Sequence, residues 1–349
     1  LRRNLSAFAN MAYTYAGRYT LSLSARQDAS NLFGVRTNDK WNPLWSGGLA
    51  WDVHRETFFT ASWLDQLKLR ATYGFSGNIN TAMAAVTTIS YSSTSPYTQT
   101  PYAVFANYSN PELRWERVGT LNLGLDFQLF NRKLGGSLEY YQKRATDLFG
   151  REYIDYTAGI GNAIVKNAAA MRAKGIDLAL NFSQQLGPVK WSSNGFLNYY
   201  RDEVTAYNLL SLQGSNFVNG NLSISGMVGK PVHGVFSYRW AGLDPLTGDP
   251  QGYLAGAVSK NYNSLIGATT QIGDLAFHGA AFPVYTAAWG NTFSWKGISL
   301  TARLAGKFGH YFRMPTQMDY TSLFTNHNSL ERVLFCFFKY TRYSIYRAR

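Results

Sequence analysis

From Tyr19 to Arg26 every odd position is apolar and every even one is polar. A period of two is the repeat of a β-strand whose faces meet unlike surroundings. The same alternation runs through 67–76, 121–128, 176–183 and 298–304. It is weaker but present over 5–15, 45–53, 134–143, 191–200 and 285–295. Ten strands of about 8–14 residues are therefore predicted, longer than the ~5–6 usual in soluble sheets. A strand that crosses a bilayer at a tilt needs about 9–11 residues, so these lengths suit a membrane.

The connections add an asymmetry. Tight turns rich in Gly, Asn, Pro and Lys fall at 16–18, 130–133, 187–189 and 296–297. Between them lie long segments at 28–43, 77–112, 145–170 and 201–284, with 54–66 a medium member of the short class. Short and long joins that alternate along an up-and-down sheet put all short turns at one end and all long loops at the other. Outer-membrane barrels have this plan, with short periplasmic turns and long external loops. Alternation alone does not separate such a barrel from a soluble sandwich or propeller, because either buries or shields one face. Strand length and loop asymmetry favour the barrel. So do Tyr13, Tyr15, Tyr19, Trp45, Trp51, Phe127, Trp191, Tyr199, Trp289 and Trp295, which fall near strand ends where an interfacial girdle belongs.

Composition sharpens this picture. Aromatic residues reach 16% of the 349, while charged residues are only 15%, against about 25% in ordinary soluble domains. No run of about 18 apolar residues exists, so helical membrane spans are not expected. The lone Cys336 leaves no disulfide framework and no multi-cysteine metal site. The net charge of +13 would suit nucleic acid, but five of those charges sit in the last 18 residues and the rest are scattered, so no nucleic-acid partner is expected. The opening residues Leu1-Arg2-Arg3-Asn4 carry neither an initiator Met nor an apolar signal core and read as an internal start.

Five segments, in order, resemble the SusC/RagA family of TonB-dependent outer-membrane transporters. Residues 16–34 (AGRYTLSLSARQDASNLFG) look like the family's "RY…R.D.S..FG" strand and loop, and 41–51 (WNPLWSGGLAW) are similar to its next strand. Residues 67–78 (LKLRATYGFSGN) resemble "LKLR.SYG..GN", the most specific of the set. Residues 110–116 (NPELRWE) fit "NP.L.WE", and 242–250 (GLDPLTGDP) fit the loop "G.DP.TGDP". The resemblance implies an all-β, antiparallel transmembrane β-barrel, present here in part, as about ten strands of a larger barrel over 1–325 with the plug absent. It also implies an outer-membrane location, a SusD-like surface lipoprotein as partner, and energy from TonB through the missing plug region. The cargo would be oligosaccharide or peptide. Residues 326–349 depart from the family pattern and read as an atypical basic tail, non-native or truncated. A passive porin or adhesin barrel and a secreted carbohydrate-binding β protein remain as alternatives.

Catalytic chemistry is sparse, and no enzyme and no cofactor are expected. His54, His233, His278, His310 and His327 show no metal-ligand spacing. Gly74-Phe75-Ser76-Gly77 lacks the spacing of a nucleophile elbow, and 159–164 lacks the third glycine of a dinucleotide loop. Asp244 and Asp249 are candidates for a hard cation, but paired Asp/Pro/Gly turns need those residues for dihedral reasons, and the turn reading is favoured. Loop aromatics carry the better binding hypothesis. Tyr91, Tyr97, Tyr102, Phe105 and Tyr108 lie in an uncharged Ser/Thr-rich stretch and could stack on sugar faces or cover peptide backbone, or pack on one another. On the polar phase of the strands, Arg26, Lys68, Arg70, Asn122, Asp126, Glu139, Asp177, Asn181 and Arg303 are expected to face the lumen, most of them holding the plug by hydrogen bonds and ion pairs and only some meeting substrate.

Overall fold

The computed structural model describes residues 4–30, 41–78, 87–108, 110, 112–153, 155, 157, 163–208, 211–218, 224–267, 269–313 and 345–347. Its main element is one open sheet of ten strands in chain order. They are β1 (Asn4–Tyr15), β2 (Tyr19–Ser30), β3 (Trp41–Asp52), β4 (Leu64–Asn78) and β5 (Glu116–Leu129), followed by β6 (Leu134–Tyr153), β7 (Ala163–Leu186), β8 (Val189–Ala206), β9 (Tyr285–Trp295) and β10 (Ile298–Phe308). Each matches one predicted strand. Registers from β1 through β8 are antiparallel. No helix among the described residues is long and apolar enough to cross a membrane.

Strand ends differ from expectation in one region. The segment 145–170, expected as a long loop, is largely strand: β6 and β7 keep pairing as far as Tyr153↔Ala163. The register shifts around Leu148, where Asp147 adopts φ 57°. Such a bulge takes side chains out of phase while the backbone ladder continues, so alternation is lost although pairing is not. The connection contracts to 154–162.

Contacts divide the chain into two units. One is Leu1–Leu210, Gly226–Lys230 and Thr286–Gly306, which holds the sheet. The other is Ser211–Ser225, Pro231–Tyr285 and Lys307–Arg349. In the second, Gly234–Ser237 pairs with Ala276–Ala280, and Trp240–Leu243, Pro250–Leu254 and Ala257–Ser259 form a three-stranded sheet. This unit has a small core of Phe217, Val235, Phe236, Leu265, Ile272 and Leu275, all buried. Arg313 Nη2 donates to the carbonyls of Phe217 (3.1 Å) and Phe236 (2.6 Å), tying its segments together. Of the tail set apart above, only Ile345–Arg347 is described, pairing with Tyr311–Arg313; 326–344 lie outside the described residues.

The ten-stranded sheet has no such core. Reading the registers across β2 to β8 gives one row, Leu21, Leu49, Ala71, Leu123, Tyr140, Ile176 and Tyr199, on a single face. Among the described residues nothing buries it: Leu49 is 64% exposed and Leu123 45%, and Leu21, Leu69 and Leu178 are not buried. A soluble sandwich would place these positions between two sheets. Here the apolar face is bare.

Two aromatic clusters bound this face. At the short-turn end Tyr19 stacks on Trp51 (6.3 Å), Trp51 meets Phe58 edge-on, and Trp191 stacks on Phe293 with Phe182 against it. Toward the other end Trp45, Tyr73 and Phe75 form a mutual edge-to-face trio, and the Arg117 guanidinium lies 3.9 Å from the Phe75 ring centre. Trp45 and Trp51 share β3, six residues apart, or about 20 Å along a strand. Aromatic rings at both margins of an apolar face are the arrangement of the interfacial girdles of outer-membrane barrels.

Candidate functional site

From the middle of the sheet to the short-turn end the opposite face gathers the charges, whereas toward the long-loop end Arg117, Arg144, Arg172, Lys174, Arg201 and Glu203 fall on the apolar phase. Arg70 on β4 donates from Nε to Asp126 Oδ2 (2.7 Å) and from Nη2 to Asp126 Oδ1 (2.9 Å) and Glu139 Oε1 (2.8 Å). Asn122 Nδ2 donates to the other Glu139 oxygen at 3.1 Å. Four of the predicted polar-phase residues thus form one network across β4, β5 and β6. Asp177 lies directly opposite Glu139. Like charges in that position repel, and each is held by its own donor: Glu139 by Arg70, and Asp177 by the Asn198 amide.

The remaining members lie on the same face but apart. Arg26 closes on its near neighbour Asp28 at 2.7 Å, and Lys68 sits 3.9 Å from Asp52. Asn181 and Arg303 line a groove described below. Phe8 and Leu44, both in register with Arg26, interrupt the polar phase at that edge. Sequence reasoning passed over Tyr141, Asn194 and Asn198. All three fall on the polar phase of their strands, a signal that the irregular alternation of 134–143 and 191–200 obscured.

The loop aromatics have a defined scaffold. Thr88–Thr94 and Pro101–Asn107 form a hairpin. Ile89 opposes Phe105 and Tyr91 opposes Ala103, so Tyr91 and Phe105 share a face, Tyr102 takes the other, and Tyr97 is at the tip. Tyr91 is 83% and Tyr97 95% exposed, whereas Phe105 packs on Tyr108 with ring centres 4.8 Å apart. Four of the five rings therefore divide into a self-packed pair and a pair offered to solvent, and Tyr102 is exposed on the hairpin's other face. No charged residue occurs from 79 to 111.

Asp244 and Asp249 are joined by a cation from the chain itself. Lys260 Nζ lies 2.7 Å from Asp244 and 3.5 Å from Asp249. Asp244 Oδ1 also accepts from the amides of Leu246 and Thr247, and Gly248 turns at φ 73°. This is the Asx-turn arrangement expected of that residue set. The Lys260 hydrogen bond and the two amides hold the Asp244 carboxyl down to about 2, below its usual 3.8. A carboxylate lowered in the fold stabilises it fully above about pH 4, and that contribution is lost as pH falls toward 2. Proteolysis at 244–250 is therefore expected to stay slow to about pH 4 and to accelerate below it, while in Lys260→Ala the loop is open at neutral pH.

A Ser–His contact emerges that 41 residues of separation had hidden: Ser237 Oγ and His278 Nε2 are 2.9 Å apart. Burial, and secondarily the Arg313 charge, lowers the His278 pKa. No carboxylate bonds the imidazole among the described residues, so the base lacks the orienting third group of a hydrolytic triad.

A family model described as "TonB dependent receptor-like, beta-barrel" matches residues 2–303. TonB-dependent receptor P3 of Formosa agariphila is 32% identical over 182 residues, 51% of this chain and 18% of that protein. TonB-dependent receptor SusC of Bacteroides thetaiotaomicron is 26% identical over 184 residues, again 51% and 18%. In fold, a chain of the RagAB peptide transporter superposes with a TM-score of 0.73 at 21% identity, covering 89% of this chain and 34% of that one. The chain thus spans less than a quarter of the curated relatives' length.

Proposed function

Because this chain belongs to the TonB-dependent receptor-like β-barrel family and is a SusC/RagA-like barrel of the outer membrane, we propose that it forms part of the wall of an active importer of oligosaccharides or peptides. The bare apolar face meets acyl chains, and the face bearing Arg70, Asp126, Glu139 and Asp177 lines the lumen. Strand pairing satisfies the backbone between them, as a hydrocarbon environment requires. The long connections lie outside the cell, where a SusD-like lipoprotein closes over them. TonB supplies energy through a plug elsewhere in the full protein. One observation carries this reading: from the Leu123 row to the short-turn end the registers sort apolar side chains to one face and charged ones to the other, and among the described residues leave the apolar face uncovered, charges joining that face only toward the long-loop end.

The hairpin at 88–107 is the entrance-side recognition element. Tyr91 and Tyr97 offer rigid, amphipathic rings at little entropic cost, and neutral Ser, Thr and Asn supply hydrogen bonds around them. That combination serves adaptable recognition surfaces elsewhere. A ring face fits the C–H face of a sugar and also fits a peptide backbone, and both cargoes are retained.

Uptake by cells carrying the intact gene tests this reading. Transport of a labelled oligosaccharide or peptide pool should stop when the gene is deleted and when the inner-membrane proton gradient is collapsed. Gradient-independent uptake would instead mark a passive porin. Tyr91→Ala and Tyr97→Ala are each expected to weaken cargo binding by about 1 kcal/mol, the scale of one aromatic contact, with no change in the amount of protein in the membrane.

A further inference from the structure

On the polar face near the short-turn end the sheet carries a depression of about 640 Å³. Its floor is made by small residues. In register, Gly135 on β6 opposes Asn181 on β7, which opposes Asn194 on β8. Gly290 on β9 continues this row: a Cβ there would come within 2.6 Å of Asn194 Oδ1 and 3.4 Å of Arg303 Cγ. Gly290 thus lets the Asn194 amide and the Arg303 side chain lie side by side over the strand between them. Ser183 and Ser192, opposite each other, and Thr292 add neutral hydrogen-bonding groups.

The charge of this groove is unbalanced. It is lined by Arg132, Lys133 and Arg303 against a single carboxylate, Asp126, whose two oxygens are already taken by Arg70. The other polar-phase cations named above are paired: Arg26, Lys68 and Arg70 all have carboxylates within 4.0 Å. Among the described residues the side-chain nitrogens of Arg132, Lys133 and Arg303 have none, although Asp65 Oδ2 accepts from the Arg132 backbone amide at 2.9 Å. A groove with cations at both ends and amides and hydroxyls along its floor is complementary to an oxyanion on a polar chain.

We propose that this groove is a subsite for an oxyanion-bearing unit of the cargo, a sulfate ester or a carboxylate. Arg303 and the Asn181 and Asn194 amides hold the anionic group, and Lys133 and Arg132 supply the field at the opposite rim. From β6 to β10 the groove crosses four strand spacings, about 19 Å, which accommodates a short oligomer. The inference rests on the reading of this face as the lumen and deepens it, by assigning the cargo a negative charge that must pass near the exit end.

The test uses the full-length transporter purified in detergent. Probes are a sulfated disaccharide with its unsulfated parent, and a tetrapeptide with a free or amidated carboxyl end. The charged member of one pair should bind about tenfold more tightly than its neutral counterpart, the scale of one charge-assisted hydrogen bond. Which pair shows the preference identifies the anion's source. In Arg303→Gln that preference should fall to about twofold or less while binding of the neutral probe is unchanged, and Lys133→Gln should reduce it in part. Equal binding of charged and neutral probes overturns the proposal, as does a preference that survives both substitutions. Labelling of Ser192→Cys by a hydrophilic maleimide separates the two levels. If the thiol reacts and the preference is absent, only the subsite is wrong; if it resists, the lumen reading fails with it.

Discussion

Leu123→Arg is expected to destabilise the protein in lipid by about 2–4 kcal/mol, the cost of a cation on the lipid side near mid-membrane. Asn122→Arg, one residue away, should cost well under half as much. Leu123 sits centrally in β5 on the bare apolar row, while Asn122 shares the opposite face with Glu139, whose carboxylate accepts from it and could accept from an arginine. The comparison removes most confounders, since both substitutions introduce the same side chain into the same strand. Urea unfolding of the full-length protein in vesicles, followed by the heat-modifiable gel shift, measures it. In a soluble sandwich Leu123 would face another sheet, and the effect would be the same in detergent-free buffer.

The second large effect concerns the sheet's edges. β1 and β10 lie at the two ends of the strand order, and among the described residues neither has a partner on its outer side. Each exposes a row of amides and carbonyls 12 or 11 residues long. In hydrocarbon every unsatisfied group costs several kcal/mol, so these edges outweigh anything a single substitution could do. Residues 1–349 expressed alone should therefore accumulate as aggregate, with no heat-modifiable band in outer membranes, whereas the same residues within the full-length gene product should yield one. A folded, membrane-inserted band from the isolated chain would mean that the edges find partners in some other way, and the wall geometry argued above would need revision.

How far the sequence alone reaches depends on whether information is carried by side-chain phase or by contact between distant segments. All ten strands of the sheet were legible, because Leu21, Leu69, Leu123, Leu178 and their alternating polar neighbours repeat with a period of two. So was the face of each polar candidate, since parity along a strand decides it. The halves of β6 and β7 beside their long connection were not, because the bulge near Leu148 breaks phase and the Ala168-Ala169-Ala170 run carries no contrast. Pairing there is enforced by the backbone. Partnerships were harder still. That Lys260 closes the Asp244 turn, that Ser237 meets His278, and that Gly290 makes room for Asn194 and Arg303 all depend on folding that brings remote residues together. A glycine in a strand signals a close approach, but its neighbour is invisible until the register is known.

The central claim is that one face of this sheet meets acyl chains and the other meets water. Spin labels placed singly at 121 through 128 in the full-length protein, reconstituted in lipid, test it most directly. Collision rates with oxygen should peak at 121, 123, 125 and 127, and rates with a water-soluble nickel chelate at the even positions, the two curves running out of phase with a period of two. Odd positions shielded from both reagents would place Leu121, Leu123, Leu125 and Phe127 in a dry protein core and contradict the account.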